Sequence, residues 1–203
     1  GFYPRVINGS LRFNDDDSAY LSWTPASAGN RKTWTWSGWV KRCNLGGIYW
    51  IFGGSNGSTT QGRIGFNSTS DKFIVFDWQN GDKMNVTTDA VLRDPSAWYH
   101  IVATVDTPQA TPTDRVKIYI NGVQQETTFT VTPTQNLDTS FNDAVSHSLG
   151  RDNYGSGGGY SDVYLADVYF IDGQALSSDD FGETKNGVWV AKDYAGTFGT
   201  NGF

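Results

Sequence analysis

Two alternating runs of apolar and polar residues constrain the fold of this chain most strongly. Residues 98–106 (WYHIVATVD) and 115–123 (RVKIYINGV) flank a loop rich in Pro and Thr, and the second run ends on Asn121-Gly122. Alternation with a period of two is typical of half-buried strands, and Asn-Gly tolerates the positive φ of a tight turn. The pattern therefore predicts a β-hairpin followed by a tight turn.

Composition extends this prediction to the whole chain. The 203 residues suit one sizeable domain, and 15% are aromatic, 24 are Gly and 18% are charged. Of the 21 acidic residues only Glu126 and Glu183 are Glu, which disfavours helices because Asp prefers turns and caps. We expect an all-β fold, a two-sheet antiparallel β-sandwich over residues 1–182, with 183–203 as a C-terminal tail or linker towards a further domain.

Charge and apolar patterning exclude several classes of partner. The net charge is −6 with a pI near 4.7, and no Lys/Arg cluster is present, so nucleic acid is not expected as a partner. Cys43 is the single cysteine, so an internal disulfide is impossible. The longest strongly apolar run, residues 48–52, is far too short to insert in a membrane.

Several fragments in order resemble the laminin G-like domains of the concanavalin A-like lectin/glucanase superfamily. They comprise residues 11–21, 33–41, 50–53, 98–123, 149–153 and 164–180. The resemblance implies a jelly roll of two antiparallel sheets that binds sugar or protein. The chain departs from the family pattern at two points. Tyr164-Leu165 stands where the family has a Gly before its final strand, and Asp167-Val168 stands where the family often has two adjacent acidic residues, which leaves one carboxylate there.

Catalysis is the least favoured interpretation. Glycoside hydrolysis needs two carboxylates that face each other across the scissile bond. The Glu-x-Asp-x-x-Glu run of the superfamily's glucanases is absent, and Asp162 and Asp167, five residues apart, fall on opposite faces of an ideal strand. His100 in mid-strand is interpreted as structural. We therefore expect a protein that is not an enzyme, with a glycoside hydrolase or polysaccharide lyase as the weakest alternative.

The Gly-rich loop at residues 151–159 is the best candidate for ligand binding. Asp and Asn side chains can bridge sugar hydroxyls, aromatic rings can stack on a sugar face, and Gly lets the backbone approach. The alternative is a flexible connection, and Trp side chains on strands are more often core. The predicted ligand-binding residues are Arg151, Asp152, Asn153, Tyr154, Tyr160 and Trp78.

One structural calcium ion is expected by resemblance. Calcium takes about six to eight oxygen ligands, and the Asn-Asp-Asp-Asp turn at residues 14–17 is dense in oxygens. Many similar sandwiches hold calcium between the first hairpin and the Asp of the final strand, which here implies Asp16, Asp17 and Asp167. The alternative is a solvated turn.

These features together predict a non-catalytic carbohydrate-binding or adhesion module of a larger extracellular or phage structural protein. Its partner would be a glycan or cell-surface polysaccharide, and its location extracellular or virion-associated. The alternative is an assembly or protein-interaction domain that does not bind sugar.

Overall fold

A computed structural model describes residues 5–67, 70–154 and 159–203, and within them the regular secondary structure is almost entirely β. Two short 3₁₀ helices cover Pro112–Arg115 and Ser178–Asp180. The strands are β1 Leu11–Phe13, β2 Leu21–Trp23, β3 Thr33–Arg42, β4 Tyr49–Ser55, β5 Thr60–Phe66, β6 Lys72–Gln79, β7 Asp82–Val91, β8 Tyr99–Asp106, β9 Val116–Ile120, β10 Val123–Gln124, β11 Thr127–Val131, β12 Ser146–Leu149, β13 Val163–Asp172, β14 Gly182–Lys185 and β15 Val188–Ala191.

Two antiparallel sheets form the sandwich, which confirms the predicted fold class. The first has six strands in the order β1-β13-β3-β8-β9-β10, and the second has seven in the order β11-β7-β6-β5-β4-β12-β2. The predicted hairpin is β8 paired with β9, with Ile101 opposite Ile120. Asn121 and Gly122 follow β9 with φ of 48° and 85°, so the tight turn is also confirmed.

The main core lies between the inner faces of the two sheets. Trp34, Trp36 and Val40 of β3 are fully buried in it, as their alternation predicts. Thr35 and Ser37, on the opposite face of the same strand, are buried as well. A further layer must therefore cover the outer face of the six-stranded sheet.

Residues after β13 supply that layer. Strands β14 and β15 form a hairpin, and the amide of Asp172 in β13 donates to the carbonyl of Phe198 at 2.8 Å. The ring of Phe181 lies 5.6 Å from that of Tyr169 and 5.1 Å from that of Tyr194. The segment 183–203 thus packs on the sandwich, and its role as a C-terminal tail or linker towards a further domain stays a prediction.

Candidate functional site

The outer face of the seven-stranded sheet carries a row of aromatic side chains. On β6, Phe73 and Val75 point into the core, so Phe76 and Trp78 lie on the opposite, outward side. Trp50 of β4 faces the same way, with its ring centroid 6.3 Å from that of Phe76. The face therefore offers apolar rings from two strands that flank β5.

Arg63 of β5 fills the space between these rings. Its guanidinium carbon is 4.7 Å from the Trp50 ring centroid and 5.2 Å from that of Phe76, which are cation–π distances. Burial lowers the pKa of Arg63, and the neighbouring carboxylate of Asp152 opposes that shift. The result is a half-buried cation set into an aromatic surface.

The segment that begins at Arg151 folds over this face. Nη1 of Arg63 donates to Oδ2 of Asp152 at 2.5 Å, across 89 positions of sequence. The Tyr154 ring meets the Trp78 ring edge-on, with centroids 5.9 Å apart, and the Tyr154 amide donates to Asp152 at 2.9 Å. The structure thus brings together three predicted ligand-binding residues: Trp78, Asp152 and Tyr154.

The other three predicted residues lie beside this cluster. The guanidinium carbon of Arg151 sits 3.7 Å from the Tyr20 ring centroid, and the Tyr20 and Tyr160 rings are 6.0 Å apart. Asn153 accepts from Nε of Arg151 at 3.0 Å and donates to the carbonyl of Ser146 at 3.0 Å. Arg151 and Asn153 line a cavity of about 400 Å³. Residues 155–158 of the predicted loop lie outside the described residues.

The carboxylates proposed for calcium are not brought together. Strand β1 runs antiparallel to β13, with Leu11 opposite Leu165 and Phe13 opposite Val163. Asp16 and Asp17 therefore continue past one end of this pairing, whereas Asp167 lies about 13 Å along β13 from Val163 in the other direction.

Asp167 also has a partner already. It occupies a β-bulge at a φ of 48° and pairs with the guanidinium of Arg5. At the turn, the Asn14 amide donates to Asp17 at 2.6 Å. In the described ranges no group of three metal-ligand side chains occurs. The three Asp residues thus do not fit one ion, and calcium at the turn alone stays a prediction.

Both histidines are buried, and burial disfavours their charged forms. Nδ1 of His100 accepts from the Trp189 indole N–H at 2.9 Å, so its proton resides on Nε2, which donates to Oγ of Ser37 at 3.0 Å. Burial lowers the pKa of His100 to about 4. In His147, Nε2 accepts from the Asn142 amide and the pKa is lowered by burial. A His100 that already donates to Ser37 cannot accept its proton, so this pair is structural.

Sequence reasoning missed the central member of the aromatic face. That member is Arg63, and a lone Arg on a short strand carries no local signal in the sequence. For Trp50, the sequence alone does not show whether the side chain faces outward or belongs to the core. Alternation along β6 does place Phe76 beside Trp78, and this was the available signal.

The two antiparallel sheets, packed face to face, define a jelly-roll sandwich. The family model described as the concanavalin A-like lectin/glucanases superfamily, a laminin G model, matches residues 15–180. The chain belongs to this laminin G-like family. No curated protein matches it in sequence.

Solved structures share the fold at low sequence identity. A heptameric SAP-like pentraxin from Limulus polyphemus is 14% identical with a TM-score of 0.55, covering 87% of this chain and 76% of its own. A Trypanosoma rangeli sialidase is 15% identical with a TM-score of 0.55, covering 86% of this chain but 26% of its own. The CBM40 of a Ruminococcus gnavus IT-sialidase, bound to α2,3-sialyllactose, is 14% identical with a TM-score of 0.54, covering 78% and 95%. These identities establish the fold alone.

Among the described residues, no helix is long and apolar enough to cross a membrane.

Proposed function

We propose that this domain is a non-catalytic carbohydrate-binding module whose glycan lies on the outer face of the seven-stranded sheet. The observation that carries the proposal is the Trp50–Arg63–Phe76 stack with Trp78 and Tyr154 beside it. Aromatic rings pack on the apolar C–H face of a sugar ring, and a few polar groups then fix its orientation. Trp50, Phe76 and Trp78 are partly exposed, so their rings are accessible to a ligand.

The carboxylates considered for catalysis support a binding role rather than hydrolysis. Hydrolysis requires two carboxylates that face each other across the bond. Asp162 accepts from Arg12 at 2.7 Å and Asp167 pairs with Arg5, both at the six-stranded sheet, while Asp152 is held by Arg63. Each carboxylate is thus engaged by a different arginine.

Similar folds support the choice of ligand class. The CBM40 structure holds α2,3-sialyllactose, and that module shares its fold with this domain. We further propose that the domain is part of a larger protein, that it is extracellular or virion-associated, and that its partner is a surface polysaccharide.

A glycan array probed with wild-type protein, Trp78→Ala and Trp50→Ala tests the proposal, since both rings lie on the outward face. We expect wild-type binding and a loss of about tenfold or more in each variant, because burial of an aromatic side chain contributes about 1.5–3 kcal/mol. Trp98→Ala is the matched control, since the Trp98 side chain is 36% exposed but lies on the side of the six-stranded sheet. Binding that falls equally in all three variants, or no binding on a broad array, would overturn the proposal.

A second candidate function, an assembly or protein-interaction domain, is favoured by one observation. Trp39, Trp98 and Trp189 line an apolar cavity of about 450 Å³ on the outer face of the six-stranded sheet, and Val188 at its edge is 50% exposed. Exposed apolar patches of this kind mark interaction sites. Light scattering that shows a stable oligomer, disrupted by Val188→Asp, would favour this function.

A further inference from the structure

Asp152 and Tyr154 occupy the proposed glycan site as an internal ligand. The Asp152 carboxylate rests on Arg63, and two residues later the Tyr154 ring rests against Trp78. The Tyr154 hydroxyl also donates to the carbonyl of Ser58 at 3.3 Å. The segment thus presents a carboxylate to Arg63, a flat ring to Trp78 and a hydroxyl to the loop between β4 and β5.

Two buried polar atoms beneath this segment lack partners in the part of the chain that the structure describes. They are Nε of Arg63 and Oε1 of Gln61. Gln61 and Arg63 are two residues apart on β5, so they share a face, and Gln61 lies opposite Trp78 in the sheet. Buried polar groups are normally hydrogen-bonded, so an unused donor beside an unused acceptor indicates a partner that is not part of this segment.

We propose that the site takes a glycan that carries a carboxylate, which replaces Asp152 on Arg63 while its sugar ring replaces Tyr154 on Trp78. This inference rests on the proposed function. Asp152 uses Nη1 of Arg63, whereas a ligand carboxylate can bridge Nε and a terminal nitrogen side-on. A sugar hydroxyl then donates to Oε1 of Gln61.

Calorimetric titration of the full chain with trigalacturonate, and with the same trisaccharide as its methyl ester, tests the inference. The ester keeps the rings and removes the negative charges. Wild-type protein should bind trigalacturonate at least about tenfold more tightly than the ester. Asp152→Asn should raise the affinity for trigalacturonate by about tenfold, since it weakens the internal competitor and removes a negative charge, and should raise the affinity for the ester by less.

Asp82→Asn is the matched control, because Asp82 is exposed, lies in register with Trp78 and gives the same change in net charge. If Asp82→Asn and Asp152→Asn raise the affinity for trigalacturonate equally, the effect reflects only charge repulsion between protein and ligand, and the inference is overturned. Arg63→Gln should abolish the preference for the acid over the ester. If Arg63→Gln does not fold, Arg63→Lys serves in its place. It keeps the positive charge but loses the planar guanidinium that binds a carboxylate through two nitrogens, so it should weaken the preference for the acid.

The outcomes separate the two proposals. If neutral glycans bind at Trp78 and the protein does not prefer the acid, the proposed function stands and this inference is overturned. No binding of neutral or acidic glycans overturns both. Binding that is lost in Trp78→Ala, together with a preference for trigalacturonate that is enhanced in Asp152→Asn, supports both.

Discussion

His100→Gln should change how the stability of this domain depends on pH. His100 is 1% exposed, accepts from Trp189 on one ring nitrogen and donates to Ser37 from the other. A second proton on the ring would place a donor against the Trp189 indole N–H, and would bury a charge. Glutamine is neutral at every pH, so the variant removes this titration and leaves only a constant cost for imperfect hydrogen bonds.

The structure sets the size and the sign of the effect. The pKa of His100 is lowered from 6.5 to about 4, which corresponds to about 3 kcal/mol between the two protonation states. The folded state favours neutral His100. Its contribution to stability is therefore complete above pH 6.5 and is lost as pH falls towards 4. The wild type should lose about 3 kcal/mol relative to His100→Gln between pH 7.5 and pH 4.

Asp77 acts in the opposite direction over the same range. Burial raises its pKa to about 6, although the amide and hydroxyl of Ser140 donate to it. Its folded pKa lies above its unfolded one, so protonation relieves a cost as pH falls from 6 towards 4. Asp77 and His100 lie on different sheets without a shared partner, so their effects should add. The contribution of Asp77 to the free energy of unfolding is therefore the same in wild type and variant, and it cancels in their difference.

Guanidinium unfolding at pH 4, 5, 6 and 7.5, followed by tryptophan fluorescence, measures the difference. In His100→Gln the relief of Asp77 is no longer opposed by His100, so the variant should gain stability on acidification relative to the wild type. A free-energy difference between the two proteins that stays constant from pH 7.5 to pH 4 would refute the reasoning. His147, which is retained in both proteins, titrates equally in each and does not affect the comparison.

Three further predictions concern the other parts of the molecule. Asp167→Ala should leave the difference between melting temperatures in calcium and in chelator unchanged, because Asp167 pairs with Arg5 and lies away from the turn; a difference abolished by the variant would contradict this. Removal of residues 183–203 should lower the melting temperature and promote aggregation, because it uncovers Val102, Ile171 and Phe181 on the outer side of the six-stranded sheet; a truncated chain that melts like the full one would show that the segment is dispensable. Arg42→Met should cost about 1–3 kcal/mol in chemical unfolding, since it removes a buried guanidinium that donates to Asp71 and to the carbonyl of Leu92 while Arg93 still pairs with Asp71, and a loss below about 0.5 kcal/mol would contradict a stabilising pair.

The sequence by itself determined the strands, their turns and the sandwich. Alternation along residues 98–106 and 115–123 is a local property, since successive side chains of a strand point to opposite faces. The Asn121-Gly122 turn depends on two residues that tolerate positive φ. Such signals need no distant partner, so they can be interpreted directly, and with the ordered family motifs they also identified the fold.

Only the tertiary structure decided which side chains meet. Arg63 and Asp152 are 89 positions apart, and they pair because the segment after β12 crosses the outer face of β5. Asp167 is separated from the turn at residues 14–17 because β1 and β13 run antiparallel, so the two positions extend beyond opposite ends of the pairing. The segment 183–203 looks like a linker in sequence, yet its rings cover a sheet face that is formed by other strands. The physical reason is common to all three: register and layer packing join residues without any local pattern that records the contact.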